Sequence, residues 1–241
     1  KNCNIMAIRG MILAAGLGTR LKPFTDKHPK ALAVVNGKTV LQRNIEWLAG
    51  FGIKDVIVNV HHFADQIIAV INESKGWGSN VVVSDESDEV LETGGGILKA
   101  SHFLMGTENC VVMNADILTD FNLQKAIEQH LTLSAIATLA VTDRSSSRML
   151  QFDETNKLIG WKNTKDGVVK GREGESKAFS GIQILNKAFF DKIEYKGKFS
   201  IIDVYLSICA NENIFCYNHT GSKFIDIGTP EKLENAGKLF D

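Results

Sequence analysis

Short apolar runs alternate with amphipathic stretches along the first 144 residues of the chain. The apolar runs predict strands, and the amphipathic stretches between them predict helices. The predicted strands are Met11–Ala14, Val56–Val60, Val81–Val83, Cys110–Met113 and Ile136–Val141, and the predicted helices are Val40–Leu48, Asp65–Ile71, Gly95–His102 and Leu123–Leu131. Because these strands are continuously apolar and separated by helices, we expect an α/β fold whose mostly parallel sheet is covered on both faces. In such sheets, ligands bind beyond the carboxyl ends of the strands.

The pattern changes at about Ser145, where shorter strands and a polar loop follow one another. The predicted strands here are Gln151–Asp153, Leu158–Trp161, Phe179–Leu185, Ile214–Tyr217 and Phe224–Ile227, the predicted helices are Ala188–Ile193, Ile202–Ala210 and Pro230–Phe240, and Asp166–Ser176 is predicted to be a loop. We expect this mixed region to cover the open edge of the first sheet. The chain is therefore predicted to be a single domain, residues 1–241, made of two halves, 1–144 and 145–241.

Composition and charge narrow the function classes. The chain has 241 residues, enough for one substantial core, and a net charge of -1. This balance argues against a general nucleic-acid binder, which usually carries an excess of Lys and Arg. No apolar stretch approaches the roughly 20 residues that span a bilayer, and residues 1–5 lack the apolar core of a signal peptide, so no membrane association is expected.

The cysteines point to a reducing compartment. The chain contains no Cys-x-x-Cys pair among its four cysteines, which are Cys3, Cys110, Cys209 and Cys216. A disulfide framework or a structural zinc site is therefore not favoured, and we expect a cytoplasmic protein.

The first predicted strand leads into a loop that holds Gly16, Gly18 and Arg20. One interpretation is a plain strand-to-helix turn with scattered surface cations. The other is a phosphate-binding loop, because glycines let the backbone approach phosphates and arginine can bind phosphate oxygens through two hydrogen bonds. Lys30 would add a second cation from a short loop bounded by prolines. A nicotinamide-binding loop fits poorly, since Leu21 stands where its third glycine belongs and no acidic residue closes the second strand.

Two carboxylates and a glycine triplet are further candidate features. Asp116 follows the fourth predicted strand, where it could also be a turn or helix-capping residue. Asp226 lies among apolar residues, and a carboxylate there is unfavourable unless it is paired or bound to a cation. Two carboxylates with a polyphosphate between them suit Mg²⁺. The glycines of Gly94–Gly96 are either a flexible loop or the start of a helix with N–H groups free for an anion.

A family resemblance is carried by the stretch from Gly16 to Lys30. Its pattern Gly-x-Gly-Thr-Arg-x-x-Pro-x-Thr-x-x-x-Pro-Lys resembles the amino-terminal motif of the sugar-1-phosphate nucleotidylyltransferases. Further landmarks extend the resemblance over essentially the whole chain, which implies a three-layer Rossmann-like fold of the GT-A-like nucleotidyltransferase type. The sequence departs from the family pattern at Ala31, where proline is usual, and at Ala115, where glycine is usual.

The resemblance implies a role for each matching residue. Residues 1–144 would form the nucleotide-binding half and residues 145–241 the sugar-phosphate-binding half. The implied catalytic residues are Arg20 and Lys30, and the implied nucleotide-binding residues are Leu13, Ala14, Ala15, Gly16, Gly18, Thr19, Gly94 and Asn114. The implied sugar-phosphate-binding residues are Glu92, Thr93, Lys162, Ser180 and Gly181, and the implied ligands of Mg²⁺ are Asp116 and Asp226. Lys162 is the nearest counterpart of a lysine that many relatives carry in a Glu-Lys-Pro triplet, which this chain lacks.

The implied reaction is Mg²⁺-dependent transfer of a nucleotidyl group from a nucleoside triphosphate to a sugar 1-phosphate, with release of pyrophosphate. The glycine-rich and Phe179–Ile182 stretches are most like the N-acetylmuramate-1-phosphate uridylyltransferase branch, with the mannose-1-phosphate guanylyltransferases close by. We therefore expect UTP with N-acetylmuramate 1-phosphate, or GTP with mannose 1-phosphate. A phosphocholine cytidylyltransferase-like enzyme and a non-catalytic nucleotide-sugar-binding module remain alternatives. The chain has no hexapeptide repeats, so no C-terminal β-helix domain is expected, and its oligomeric state is left open.

Overall fold

A computed structural model describes residues 7–240, so Cys3 lies outside the described residues. The strands, in chain order, are β1 (Ile8–Leu13), β2 (Val34–Val35), β3 (Lys38–Thr39), β4 (Asp55–Val60), β5 (Asn80–Asp85), β6 (Asn109–Asn114), β7 (Ile117–Thr119), β8 (Ala137–Thr142), β9 (Arg148–Phe152), β10 (Leu158–Asn163), β11 (Val169–Gly171), β12 (Glu175–Asn186), β13 (Ile214–Asn218) and β14 (Phe224–Asp226). The α-helices are α1 (Val40–Gly50), α2 (Ala64–Glu73), α3 (Glu92–Lys99), α4 (Ser101–Leu104), α5 (Leu123–Thr132), α6 (Ile201–Ile208) and α7 (Pro230–Leu239). Short 3-10 helices occur at Thr19–Leu21, Phe24–Asp26, Lys30–Leu32, Lys75–Gly78 and Lys187–Lys192.

The central sheet has a parallel part in the order β6-β1-β4-β5. Strand β12 pairs antiparallel with β6 on one side and with β8 on the other, and β13 then pairs parallel with β8. The second half of the chain thus supplies the strand that covers the open edge of β6. Strand β8, which follows β6 among the predicted core strands, is separated from it by β12. Apolar runs predict the strands, but the order of the strands depends on long-range pairing that local patterns do not encode.

Side chains of alternating strand residues pack into two cores on opposite faces of the sheet. Met11 packs with residues of α3, α4 and α6, whereas its neighbour Ile12 packs with residues of α1, α2 and α5. The expected three-layer arrangement, a mostly parallel sheet with helices on both faces, is therefore confirmed. Within residues 7–240, no helix is long and apolar enough to cross a lipid bilayer.

The prediction of a loop over Asp166–Ser176 is wrong in part. Strand β11 lies inside this range and pairs antiparallel with β10, which itself pairs antiparallel with β9. Strand β12 begins at Glu175, also inside the range, and its first residues pair antiparallel with β9. Most side chains of β11 and of the first residues of β12 are exposed, so no apolar pattern marks them. The predicted helix Ala188–Ile193 is a 3-10 helix, Lys187–Lys192, whose adjacent phenylalanines are both buried.

A small two-stranded sheet brings the C-terminal part of the chain to the first half. Strand β14 pairs antiparallel with β7, which places Asp226 opposite Ile117. A third, smaller core joins the same regions, because Leu21 packs with Ile227 and with Ala236 of α7. The segment after β1 and the segment after β6 therefore share a common support from the last helix.

Candidate active site

A cleft of about 470 Å³ opens at the carboxyl ends of β1 and β6. Twelve of the residues predicted from the sequence to form the site line it. They are Leu13, Ala14, Ala15, Gly16, Gly18, Thr19, Arg20, Lys30, Glu92, Thr93, Asn114 and Asp116. The predicted residues that do not line this cleft are Gly94, Lys162, Ser180, Gly181 and Asp226. The position of the cleft agrees with the general placement of ligand sites in parallel α/β sheets.

The loop after β1 is shaped by one glycine and one buried leucine. Gly18 has a φ of +62°, and a Cβ there would lie 3.0 Å from Thr25 Cγ2 and 3.1 Å from Lys30 Cβ. The Gly18 carbonyl accepts hydrogen bonds from the Leu21 N–H at 2.9 Å and from the Thr25 hydroxyl at 3.0 Å. Leu21 is fully buried in the third core. Leu21, which stands where a dinucleotide loop has its third glycine, is thus a hydrophobic anchor for the turn. At Gly16, by contrast, an added Cβ would meet nothing within 4 Å.

Two cations face the cleft in different states. The Arg20 side chain is exposed, and its guanidinium lies close to Gly228 on the C-terminal side of the cleft, since a Cβ at Gly228 would come within 3.4 Å of Arg20 Nη2. Lys30 instead forms an ion pair with Asp116, and their side chains are only 16% and 23% exposed. One cation is therefore open to an incoming anion, and the other already neutralises a carboxylate of the site.

Of the two carboxylates predicted to bind a metal ion, Asp116 directly precedes β7, and Asp226 ends β14, which pairs with β7. The Ile227 N–H donates to the Asp116 carbonyl at 2.8 Å, so Asp226 and Asp116 are near neighbours across the β7–β14 pair. Asp226 lies next to the cleft residue Gly228, because a Cβ on Gly228 would come 3.0 Å from its Oδ1. Its carboxylate accepts two hydrogen bonds from Lys232.

This donor set fits a hard divalent cation. Carboxylate oxygens are the ligands that Mg²⁺ prefers, and Mg²⁺ commonly takes only one or two of them, with water and phosphate oxygens completing the shell. Among residues 7–240, no group of three or more His, Cys, Asp and Glu side chains is placed to hold a metal ion by itself. Asp116 and Asp226 could therefore hold such an ion only together with water or phosphate oxygens.

The glycine triplet at the start of α3 serves close packing. A Cβ on Gly94 would lie 2.3 Å from the Phe199 ring and a Cβ on Gly95 would lie 2.3 Å from the Gly197 carbonyl oxygen. The Gly94 N–H donates to the Phe199 carbonyl at 2.9 Å, so it is not free for an anion in this structure. Thr93, which lines the cleft, also accepts a hydrogen bond from the Ile201 N–H at 3.0 Å. The triplet thus docks the chain around Phe199 beside the cleft.

The residues predicted to bind the sugar phosphate are spread over several elements. On β12, Gly181 has a φ of +72°, and a Cβ there would come 2.6 Å from Asn114 Nδ2 at the cleft. Ser180 Oγ lies 2.8 Å from His219 Nε2, and burial lowers the pKa of His219 to about 4. Lys162, on β10, pairs with Glu173 at 3.2 Å and is not part of the cleft lining. The structure therefore brings Gly181, but not Lys162, next to a cleft residue.

A buried chain of hydrogen bonds joins Ala14, at the start of the glycine loop, to Asn59 and Glu86. No sequence motif predicted it. Asn59, on β4, lines the cleft and accepts a hydrogen bond from the Ala14 N–H at 2.7 Å. Its amide donates to Glu86 at 2.9 Å. The available signal was a polar residue within the apolar run Val56–Val60, since such a residue needs a buried partner.

Comparison with known proteins places this geometry in a family. The family model described as Nucleotidyl transferase matches residues 9–240. The chain belongs to this family. The resemblance inferred from the loop motif and the expectation of a nucleotidyltransferase enzyme are thereby confirmed.

Individual members of the family cover the chain almost completely. The N-acetylmuramate alpha-1-phosphate uridylyltransferase of Caulobacter vibrioides is 30% identical, over 95% of this chain and 96% of the relative. The D-glycero-alpha-D-manno-heptose 1-phosphate guanylyltransferase of Aneurinibacillus thermoaerophilus is 31% identical, over 96% and 97%. The crystal structure of HddC from Yersinia pseudotuberculosis complexed with GMP-PN has a TM-score of 0.78 and 28% identity, covering 97% of this chain and 100% of that one.

Proposed function

We propose that this protein transfers a nucleotidyl group from a nucleoside triphosphate to a sugar 1-phosphate and releases pyrophosphate. The observation that carries the proposal is the meeting of Arg20, Lys30 and Asp116 in one cleft with the glycine loop. Glycines let the backbone approach a triphosphate, while the two cations offset its negative charge. The similar proteins from Caulobacter and Aneurinibacillus are named as transferases that act on sugar 1-phosphates.

In the proposed reaction, a phosphate oxygen of the sugar 1-phosphate attacks the α-phosphorus of the triphosphate in line. A new P–O bond forms as the bond between the α-phosphorus and the bridging oxygen breaks, and pyrophosphate leaves with that electron pair. The attacking oxygen is already ionised at neutral pH, so the reaction needs no general base. Catalysis then rests on positioning and on charge neutralisation, as in other phosphoryl transfers.

Arg20 and Lys30 have separate parts in this proposal. Arg20, exposed at the end of the glycine loop, would bind the departing pyrophosphate through its planar guanidinium. Lys30 would contact a phosphate of the triphosphate from the other side of the loop, and its ion pair with Asp116 keeps it directed into the cleft until substrate arrives.

Asp116 and Asp226 would hold a magnesium ion, which would supply further charge neutralisation at the triphosphate when bound. In this structure, Asp116 forms an ion pair with Lys30, and Asp226 forms an ion pair with Lys232. The contacts of the sugar phosphate stay predictions, and they are Glu92, Thr93, Ser180, Gly181 and Lys162. The nucleotide contact of Gly94 also stays a prediction.

For the substrates, we propose UTP with N-acetylmuramate 1-phosphate or GTP with mannose 1-phosphate. The Caulobacter relative is named a uridylyltransferase and the Aneurinibacillus relative a guanylyltransferase, while the HddC structure contains GMP-PN. Both bases therefore occur among proteins of comparable similarity. We place the reaction in a reducing cytoplasm, in keeping with the three free, buried thiols of Cys110, Cys209 and Cys216.

The test is pyrophosphate release from the purified protein with UTP, GTP, CTP, ATP or dTTP, each offered with N-acetylmuramate, mannose, glucose and heptose 1-phosphates. Each pair is run with Mg²⁺ and with excess chelator, and CTP is also offered with phosphocholine. We expect release with one or a few sugar phosphates and loss of release in chelator. No release from any pair, with intact nucleotide binding, would overturn the proposal in favour of a binding module. Release only with CTP and phosphocholine would replace the sugar phosphate as acceptor.

A further inference from the structure

Glu86 is a buried carboxyl group that the proposed chemistry does not use. It follows β5 directly and is 1% exposed. Its Oε1 accepts the hydrogen bond from Asn59, whereas its Oε2 is buried with no hydrogen-bond partner of normal geometry among the described residues. Burial raises the pKa of Glu86, although Asn59, Lys99, His61 and the Leu91 N–H all favour the charged form. Burying a carboxyl group with one unpaired oxygen is unfavourable for folding, so the position of Glu86 calls for a structural or functional explanation.

The partner of Glu86 is held in one orientation. Asn59 is 2% exposed, and its two amide atoms have opposite partners. The Ala14 N–H can only donate, so it requires the Asn59 oxygen, while Glu86 Oε1 accepts from the Asn59 nitrogen. Turning the amide by 180° would set donor against donor at Ala14. The bond to Glu86 therefore selects the amide orientation that Ala14 needs.

Helix α3 closes the space around this pair. A Cβ on Gly96 would come 2.8 Å from Asn59 Nδ2 and 2.9 Å from Glu86 Oε1. Glycine at this position lets the helix pack directly on the hydrogen bond and exclude water from it. In a site of low dielectric constant, a satisfied polar contact is stronger and an unsatisfied one more unfavourable than in water.

Ala14 is the point at which this chain of hydrogen bonds reaches the cleft. It is the first residue after β1 and the residue from which the glycine loop begins, and it lines the cleft itself. Its N–H bond to Asn59 fixes the direction in which the chain leaves the strand. This hydrogen bond therefore also influences the path of the backbone from Ala15 to Arg20.

We propose that Glu86 and Asn59 form a buried positioning pair that fixes the Ala14 backbone and thereby holds the glycine loop ready for a nucleoside triphosphate. The effect on nucleotide affinity rests on the proposed function, whereas the effect on Ala14 does not. Glu86 acts only through Asn59, so we expect it to change triphosphate binding and to leave the apparent KM for the sugar phosphate unchanged.

The decisive experiment exchanges the donor and acceptor within the pair. Asn59→Asp removes the donor and sets two carboxyl groups against each other. Asn59→Asp combined with Glu86→Gln restores one hydrogen bond in the reverse direction, while the second oxygen of the introduced carboxylate still accepts from the Ala14 N–H. For UTP and GTP binding by calorimetry, we expect the single variant to lose affinity by about tenfold or more and the double variant to return to within about threefold of wild type.

A second pair of variants keeps the test decisive if Asn59→Asp does not fold. Glu86→Gln retains an acceptor for Asn59, whereas Glu86→Met fills similar space without one. We expect Glu86→Met to weaken triphosphate binding by about tenfold and Glu86→Gln by less than about threefold. Asp85→Asn is the matched control. Asp85 directly precedes Glu86, and its exposed carboxylate accepts hydrogen bonds from Ser87 rather than from Asn59.

Hydrogen exchange of the Ala14 amide, measured without nucleotide, separates the two proposals. We expect its protection to fall in Asn59→Asp and Glu86→Met and to recover in the double variant. If the double variant behaved like Asn59→Asp in both exchange and binding, or if Glu86→Met matched Glu86→Gln, the positioning role would be overturned. If exchange followed the expected order but no sugar phosphate yielded pyrophosphate, the positioning pair would stand and the proposed reaction would fall.

Discussion

Lys232 Nζ lies 2.7 Å from both carboxylate oxygens of Asp226. Lys30 forms a corresponding ion pair with Asp116, which directly precedes β7. Each carboxylate proposed to hold Mg²⁺ therefore already has a cationic partner from the chain. A metal ion bound as proposed would compete with these lysines for the same oxygens, and this competition can be measured.

Lys232→Met is expected to lower the Mg²⁺ concentration needed for half-maximal activity by a few-fold. Lys232 Nζ lies 2.7 Å from the carboxylate oxygens that the ion would use, and removing a positive charge at such short range is worth roughly 1 kcal/mol or more in a solvent-exposed setting. The measurement is a Mg²⁺ titration of pyrophosphate release at fixed substrate. Lys238→Met is the control, because it lies on the same helix and pairs with Glu234 at the surface. An unchanged or higher Mg²⁺ requirement would argue that Asp226 is not a ligand.

Arg20→Ala is expected to reduce turnover by at least about a hundredfold, the loss typical of a single charge-stabilising group. The side chain is exposed and the loop is anchored by Leu21, so the melting temperature is expected to stay unchanged. Steady-state pyrophosphate release measures the loss. The control is Lys22→Ala, which removes a neighbouring surface cation paired with Asp26. Equal effects of the two variants would contradict a specific role for Arg20.

Asp116→Asn is also expected to reduce turnover by about a hundredfold or more, because it removes a carboxylate proposed to hold the charge-neutralising magnesium ion. The comparable surface variant is Glu46→Gln, which removes the charged partner of Lys38 outside the cleft lining. Both are assayed at saturating substrate and over a range of Mg²⁺ concentrations. Near-normal turnover of purified Asp116→Asn would rule out its assignment to the metal ion.

Gly94→Ala is expected to lower the free energy of unfolding by about 2 kcal/mol, because the new methyl group would overlap Phe199 and the backbone cannot move freely. Gly50→Ala, at the end of α1, meets nothing within 4 Å and is expected to leave stability unchanged or slightly raised. Urea unfolding followed by circular dichroism gives both values. Equal midpoints would contradict the close packing of α3 on the Phe199 segment.

Stability is expected to fall as the pH decreases from 6.5 to about 4. Burial lowers the pKa of His130 to about 4 from its usual 6.5, so between these values the unfolded chain binds a proton that the folded chain does not. The difference amounts to roughly 3 kcal/mol at most, and above pH 6.5 the effect vanishes. His130→Gln should flatten this part of the pH–stability curve, whereas exposed His102→Gln should not. His219 contributes in the same direction, because burial, and then Arg144, lower its pKa.

The fold class and most residues that line the candidate site could be predicted because both leave local signals in the sequence. Continuously apolar strands such as Cys110–Met113 mark the parallel part of the sheet, and the Gly16–Lys30 motif lies within one loop. The strand order could not be predicted, because β12 reaches its neighbours from far along the chain. The hydrogen bond between Asn59 and Glu86 could not be predicted either, because the two residues lie 27 positions apart in the sequence.

The interpretation of Gly94 shows a second limit of sequence reasoning. A glycine triplet can open a helix toward an anion or let two chain segments approach, and both uses require the same missing Cβ. Only the contact partner, Phe199, distinguishes them, and it lies far along the chain. Lys162 is a similar case, because a lysine in a strand carries no sign of which face it will occupy.

The position of β12 between β6 and β8 has a consequence for synthesis of the chain. Until residues 175–186 leave the ribosome, both of these strands have an unpaired edge, and most of their side chains are apolar and buried in the finished sheet. Such edges readily pair with other chains. A fragment that ends at residue 144 is therefore expected to aggregate. A nascent chain is expected to be protected from aggregation only once β12 has paired with β6 and β8.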